Sequence, residues 1–337
     1  MSAIRQDPTT REWVIVAPNR ARRPHTARDE PAAAPAPDAA CPFCPGNEAS
    51  TPPGLLRLPG PGGSGWAVRV IPNKFGALTP SGEPVRRECG PLFREMDGVG
   101  HHEVIVETPR HDRTMSRMTD AEVELVLRAY QARYKALRAD ARVKYIIIFK
   151  NHGERAGTSL SHPHSQLVAA PVPPMQTRRK YEVATAHFDD TGRCLYCDLI
   201  EAEVEAKDRL VLETDRFVVF QPYASRVPFE TWIAPKRHEP SFAQVSAEDL
   251  VGLARVLRRT LATLGAVLGA HDFNYVLHSA PVEDEGKRYY LWHIQILPRL
   301  QTIAGLELGS GIFVTTMAPE ESASLVRDAL ARGAGGR

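Results

Sequence analysis

No stretch of the chain approaches the roughly 20 consecutive apolar residues that a membrane-spanning helix requires, so no membrane partner is expected. Charge of one sign is not in excess either. Lys and Arg number 42 against 40 Asp and Glu, which excludes an extended basic surface for nucleic acid. The first residues, MSAIRQDPTT, carry no apolar segment of the secretory type, and a cytoplasmic location is the expectation. No Walker-type phosphate loop and no Ser-His-Asp spacing is found. What remains is a soluble composition, 43% hydrophobic and 24% charged, in 337 residues, enough for two compact regions each with a core.

Cysteine is scarce and unevenly placed. Of five, Cys89 stands apart and is expected to be inert, while Cys41 with Cys44 (CPFC) and Cys194 with Cys197 (CLYC) form two Cys-x-x-Cys pairs. In a reducing compartment such pairs point to metal or redox chemistry more than to disulfides. The stretch from about 20 to 64 is rich in Pro, Ala and Gly and is expected to be irregular around the first pair. Two basic clusters occur. Arg178, Arg179 and Lys180 read as solvated surface, whereas Arg20, Arg22 and Arg23 in APNRARRP form a compact guanidinium group that could meet a phosphate.

An internal repeat emerges from the order of elements. After CPFC come the strands WAVRVIPNKFGAL and HHEVIVETP, a helix from Thr119 to about Ala139 opened by a T-x-x-E capping box, then the strands KYIIIFKN and HSQLVAAPVP. After CLYC come RFVVFQPYA, FETWIAPKRH, a helix capped at Ser246, FNYVLH and LWHIQILP. His111 lies eight residues before Thr119, and His238 eight before Ser246; His111 to His162 is 51 residues and His238 to His293 is 55. This spacing predicts two sets, Cys41, Cys44, His111 and His162, and Cys194, Cys197, His238 and His293. Two cysteines with two histidines suit a closed tetrahedral zinc site that serves structure. The alternatives are buried thiols beside core histidines, or one all-cysteine site built from both pairs.

If His162 matches His293, then His164 matches Gln295, and the second imidazole of SHPHSQ is present in one half only. A histidine without a counterpart is better explained by chemistry than by folding. Around it, FKNHGERAGTSLSHPHSQ carries Gly153 and Gly157, the hydroxyls of Ser159 and Ser161, and Gln166 on the same strand face as His164. Glycine turns let backbone N–H groups approach phosphate oxygens, and amide and hydroxyl donors stabilise a transferring phosphoryl group. A nucleophilic His164 beside such a cradle suits attack on phosphorus.

These residues resemble the galactose-1-phosphate uridylyltransferase branch of the histidine-triad superfamily. The resemblance runs almost end to end, through DPTTREWVIVAPNRARRP, CPFC, VIPNKF, FKNHGERAGTSLSHPHSQ, PKRH and LWHIQILPRL. It implies an α+β fold of two histidine-triad-like halves, residues 1–178 and 179–337, each an antiparallel sheet with a long helix, intertwined in one structure. It implies that His164 attacks the α-phosphorus of a nucleoside diphosphate sugar, that Gln166 holds a nonbridging oxygen, and that Asn151, Gly157 and Ser159 meet the phosphates. Arg20 and Asn73 match positions lining the nucleotide site, and Glu307 in IAGLELGSGIF the acceptor sugar site. The set Cys41, Cys44, His111 and His162 matches a zinc site of the family. UDP-glucose and galactose 1-phosphate are the expected substrates, exchanged in two steps through a uridylyl-histidine, and a homodimer is expected. CLYC with His238 and His293 resembles a branch that includes ADP-glucose phosphorylases, which use the same intermediate with adenylyl and inorganic phosphate. A noncatalytic, zinc-stabilised nucleotide-binding protein is the third reading.

Overall fold

The computed structural model describes residues 2–22, 41–60, 63 and 65–334. Arg23, the last member of the early arginine cluster, lies outside the described residues. The chain opens with β1 (Ala3–Gln6) and β2 (Trp13–Val16). Then follow β3 (Leu56–Pro59), β4 (Trp66–Pro72), an exposed ribbon of β5 (Arg86–Glu88) and β6 (Arg94–Met96), and β7 (His101–Val106). The long helix α1 (Asp120–Leu137) leads into β8 (Tyr145–His152) and β9 (His164–Ala170). Two helices, α2 (Met175–Thr191) and α3 (Leu195–Ala206), precede β10 (Leu210–Glu213), β11 (Phe217–Phe220) and β12 (Thr231–Pro235). The second long helix α4 (Ala247–Leu268) is followed by β13 (Phe273–His278), β14 (His293–Pro298), α5 (Gly305–Ser310), β15 (Phe313–Thr315) and α6 (Pro319–Ala334).

Ten strands form one antiparallel sheet in the order β10-β11-β12-β14-β13-β8-β9-β7-β4-β3. That order reads as the same five-strand unit twice, joined back to back where β8 pairs with β13. The duplication expected from the sequence is therefore built as a continuous sheet, and the expected boundary at 178/179 falls inside α2. A smaller sheet joins the beginning of the chain to its end, β15 running parallel to β2, and Arg5 clamps the two with an ion pair to Glu320 at 2.9 Å.

The two faces of the large sheet differ because side chains alternate along each strand. One face meets α1 and α4: Ile105, Ile148, Leu167, Ile233, Tyr275, Leu277 and Ile294 pack there with Val126, Tyr130, Leu253 and Leu257 in a single core. Both helices start as the sequence predicts. Thr119 and Glu122 form a reciprocal capping box, and Ser246 Oγ accepts from Asp249 N–H at 3.0 Å, each cap stabilising its helix by about 1 kcal/mol. On the opposite face, α2 and α3 cover the second half through Val183, Ala184, Tyr196, Val218, Phe220 and Trp232. Among the described residues the first half is covered there by the CPFC segment, with Cys41 and Phe43 against Ile71, Val104 and Val106 and with Leu160 beside them. His164 and Gln166 belong to this less covered face.

Candidate active site and metal centres

The first Cys-x-x-Cys lies in tight turns, and it meets the two predicted histidines. Cys41, Cys44, His111 and His162 bring one ligand atom each to within 4.8 Å of one another. Cys44 Sγ is 3.4 Å from His111 Nδ1 and 3.5 Å from His162 Nδ1, and Cys41 Sγ is 3.7 Å from His162 Nδ1. Ligand bonds of about 2.0–2.3 Å in tetrahedral geometry put neighbouring ligand atoms about 3.3–3.8 Å apart, so the set fits zinc. The outer nitrogens are committed as well: His111 Nε2 pairs with Ser161 Oγ at 2.9 Å and His162 Nε2 with the Thr108 carbonyl at 2.8 Å. Such partners fix the tautomer that turns Nδ1 toward a metal. Ser161, expected among the phosphate-binding hydroxyls, thus serves the metal centre.

The second centre departs from the expected closed set. Cys194, Cys197 and His238 come together, with Cys197 Sγ 3.3 Å from His238 Nδ1. The hydrogen bond from Cys197, helped by His238, holds the Cys194 thiol below its usual range, toward the thiolate a metal needs. His293 is not in this group, and no fourth Cys, His, Asp or Glu among the described residues joins it. The reason lies in the register of the repeat. His164 opens β9 and its Nδ1 donates to the His162 carbonyl at 2.8 Å; His293 opens β14 and its Nδ1 donates to the Leu291 carbonyl at 3.1 Å. Gln166 faces Val104 and Phe149 across the sheet, and Gln295 faces Trp232 and Val276. The counterpart of His293 is therefore His164, and Leu291 stands where the first half has His162. Counting from His111 and His238 misaligned the copies by two residues, because the connections β8–β9 and β13–β14 differ in length. The thiols form two separate groups, which removes the all-cysteine alternative, and Cys89 is exposed.

His164 is 7% exposed. Burial pushes its imidazolium below the usual histidine range, and the bond to the His162 carbonyl opposes this in part. With Nδ1–H committed to that carbonyl, the lone pair resides on Nε2. The ring packs edge-on to Phe43, centroids 5.3 Å apart, and Phe43 also touches His162 at 6.0 Å. The aromatic residue between the two cysteines thus touches both the Cys2His2 group and His164. Burial also holds His162 low, at about 4, so it is neutral and able to ligate.

Gln166 is oriented by a residue the sequence reading missed. His102 Nδ1 accepts from Ala77 N–H at 3.1 Å, so its Nε2 carries the proton and donates to Gln166 Oε1 at 2.8 Å. The amide N–H groups of Gln166 are left for a ligand. Asn73 Nδ2 lies 3.2 Å from the same His102 nitrogen. An early signal was present in HHEVIV, where His102 shares a strand face with Val104 beside Gln166, but paired histidines were not read for it.

The Gly153–Gly157 turn follows β8. Both glycines have φ of 86°, where side chains are disfavoured, and a Cβ on Gly153 would overlap the Asp272 carboxylate. Asp272 accepts from Arg155 N–H at 2.7 Å, and Asn274 Nδ2 donates to Asn151 Oδ1 at 2.8 Å and to the Ala156 carbonyl at 2.9 Å. Arg299 Nε in turn donates to Asn274 Oδ1. Asp272, Asn274 and Arg299, none of them expected, make the second half a scaffold for the turn. Asn151 lies on the His164 face of the sheet, two residues beyond the Phe149 that pairs with Gln166. Ser159 and Arg20 are exposed. Glu307 caps its own short helix, accepting from Ala304 N–H at 3.0 Å.

The second copy of the strand is closed. Trp232 lies flat on His293, centroids 4.4 Å apart at 14°, at the register position that Val104 holds in the first half. Gln295 spends its amide on Glu230 at 2.7 Å. A carboxylate and an indole there leave no room for a phosphate.

A duplicated antiparallel sheet with one open His-x-Gln strand beside a Cys2His2 group defines a nucleotidyltransferase architecture. The chain belongs to the galactose-1-phosphate uridyl transferase family: the family's N-terminal domain model matches residues 1–174, and a second model, a domain of unknown function, matches residues 106–334. The chain is 33% identical to ADP-glucose phosphorylase of Arabidopsis thaliana over 96% of this chain and 92% of that one. It is 29% identical to galactose-1-phosphate uridylyltransferase of Thermotoga maritima, covering 97% and 98%. Among solved structures it resembles the Arabidopsis ADP-glucose phosphorylase with bound ADP-glucose (TM-score 0.83, 30% identity, 97% and 98% covered). It also resembles a uridylyltransferase (TM-score 0.77, 30% identity, 99% of each chain).

Proposed function

We propose that the chain transfers a nucleotidyl group from a nucleoside diphosphate sugar through a covalent phosphoramidate on His164. The observation that carries this reading is the geometry of His164: buried, neutral, with Nδ1–H tied to its own strand and Nε2 free. In the first step the Nε2 lone pair attacks the α-phosphorus, the bond to the bridging oxygen of the β-phosphate breaks, and the sugar 1-phosphate leaves with that electron pair. In the second, an oxygen of an acceptor phosphate attacks the same phosphorus and the P–N bond returns its electrons to the imidazole. Gln166, its carbonyl held by His102, donates an N–H to a nonbridging oxygen as charge builds there. Asn151, Gly157 and Ser159 serve the diphosphate, and Asn73 and Arg20 the nucleoside end. Residues Cys41, Cys44, His111 and His162 would hold zinc, whose contribution is structural, fixing the strand that presents His164.

ADP-glucose as donor, with inorganic phosphate as acceptor, is favoured over the UDP-glucose reading by the greater likeness to the Arabidopsis enzyme, 33% identity against 29% and TM-score 0.83 against 0.77. UDP-glucose with galactose 1-phosphate, accepted near Glu307, is the second reading, supported by the family itself. A homodimer and a cytoplasmic location go with either. Intact mass after brief exposure to each sugar nucleotide decides the matter. An adenylyl increment absent from His164→Gly supports the first reading and a uridylyl increment the second; no increment from either nucleotide refutes the covalent mechanism.

A further inference from the structure

The sheet face opposite His164 carries two full charges in the hydrophobic core. Lys150 is 2% exposed and Glu107 1%, and their side chains pair at 2.6 Å. Withdrawing an ion pair from water is costly, and apolar residues of similar volume commonly serve stability as well or better. The partners indicate what the pair does instead. Lys150 Nζ donates to the His164 carbonyl at 3.1 Å, Glu107 N–H donates to the Pro163 carbonyl at 3.1 Å, and the Glu107 carboxylate accepts from Ser165 Oγ. Tyr130 OH lies 2.5 Å from the same Ser165 oxygen and meets Tyr275 OH as well. Three consecutive residues centred on His164 are gripped from behind, while the imidazole points to the other face.

The duplication supplies an internal control. Ser165 pairs with Ile105 on β7, and Ile294 with Ile233 on β12; two residues beyond lie Glu107 and Pro235. Leu277 pairs with Ile294, and the register of β8 with β9 puts Lys150 opposite Ser165 in the same way. In the closed half, Glu107, Lys150 and Ser165 are thus replaced by Pro235, Leu277 and Ile294, all buried. The same strand geometry forms there with an apolar set, so the fold does not require the charges. We propose that Lys150, Glu107 and Ser165 are positioning residues that hold the His164 backbone in the attitude needed for attack on phosphorus. This rests on His164 being the nucleophile.

The test is the double variant Lys150→Met with Glu107→Leu in the full chain, measured for fold, zinc content and single-turnover labelling by ADP-glucose and by UDP-glucose. The chain is expected to fold with an unchanged or raised thermal midpoint and unchanged zinc. The labelling rate constant should fall about ten- to hundredfold while the half-saturating nucleotide concentration moves less than about twofold, the signature of misplaced rather than lost contacts. Should the double variant fail to fold, Ser165→Ala keeps both charges paired and removes the hydroxyl that ties the strand to Glu107, Tyr130 and Tyr275; its rate constant should fall as well. A labelling rate equal to the native chain's in whichever variant folds overturns the positioning role and leaves the nucleophile in place. A native chain that neither nucleotide labels overturns both readings.

Discussion

His164 and His293 occupy the same position in two copies of one strand, each donating from Nδ1 to the carbonyl two residues back, at 2.8 and 3.1 Å. Their neighbours separate them. His164 lies beside Phe43 of the CPFC turn, whereas His293 is sandwiched between Trp232 and His278, centroids 4.4 and 4.8 Å away. The same strand position thus lies beside a Cys2His2 group in one half and within an aromatic stack in the other.

That contrast sets the first expectation. His293→Ala should leave covalent labelling at His164 within about threefold of the native rate, because His293 is held in its own aromatic stack and bonds its own strand. It should cost about 2 kcal/mol of stability through loss of the aromatic stack. Thermal unfolding and intact mass on the same preparation check both halves of the statement.

The two metal groups should behave differently. Cys41→Ser with Cys44→Ser releases His162 and Phe43 together, and the strand bearing His164 loses the cover of the CPFC turn; one equivalent of zinc and the labelling should disappear. Cys194→Ser with Cys197→Ser should remove the other equivalent and leave labelling measurable. Elemental analysis beside intact mass reports each, and labelling retained after loss of the first centre would refute a zinc-anchored nucleophile.

Much of this was legible in the sequence. The capping box at Thr119 and the N-cap at Ser246, the inner strands and the first Cys2His2 group follow from pattern, and the chain folds them as the pattern dictates. The register of the repeat was not legible: two Cys-x-x-Cys pairs fix where each copy begins, but unequal connections before His164 and His293 shift the last strand by two. Nor were His102, Asn274 and Arg299, each ordinary by itself and made functional only by what the sheet sets beside it. The helices α2 and α3 were missed because their apolar faces are interrupted by charge and lie beside a motif read only for its cysteines.

Acid sensitivity should have a traceable source in His152. Burial beside Phe273 holds its imidazolium down to about 4, with Lys150 adding in the same direction. A histidine kept neutral in the folded state contributes stability that is complete above its unfolded value of about 6.5 and is lost as pH falls toward 4. His152→Phe, which preserves a ring on Phe273, should flatten the decline of the thermal midpoint between pH 6.5 and 4. An unchanged slope would place the acid sensitivity in other groups.

The last expectation concerns how the second half serves the first. Asn274 donates to Asn151 Oδ1 and to the Ala156 carbonyl at once, and so sets both the amide and the turn that we propose to meet the diphosphate. Replacing it by leucine removes two hydrogen bonds, each worth about 1 kcal/mol, and frees Asn151 to rotate. Labelling efficiency should fall about ten- to hundredfold, with a rise in the half-saturating nucleotide concentration, the opposite split from that expected of the ion pair behind the strand. Arg299 Nε donates to Asn274 Oδ1, so Arg299→Ala should cost several-fold in the native background and little more once Asn274 is leucine. Equal costs in both backgrounds would mean that the guanidinium, which burial without a carboxylate partner already holds below its usual range, reaches the phosphates itself.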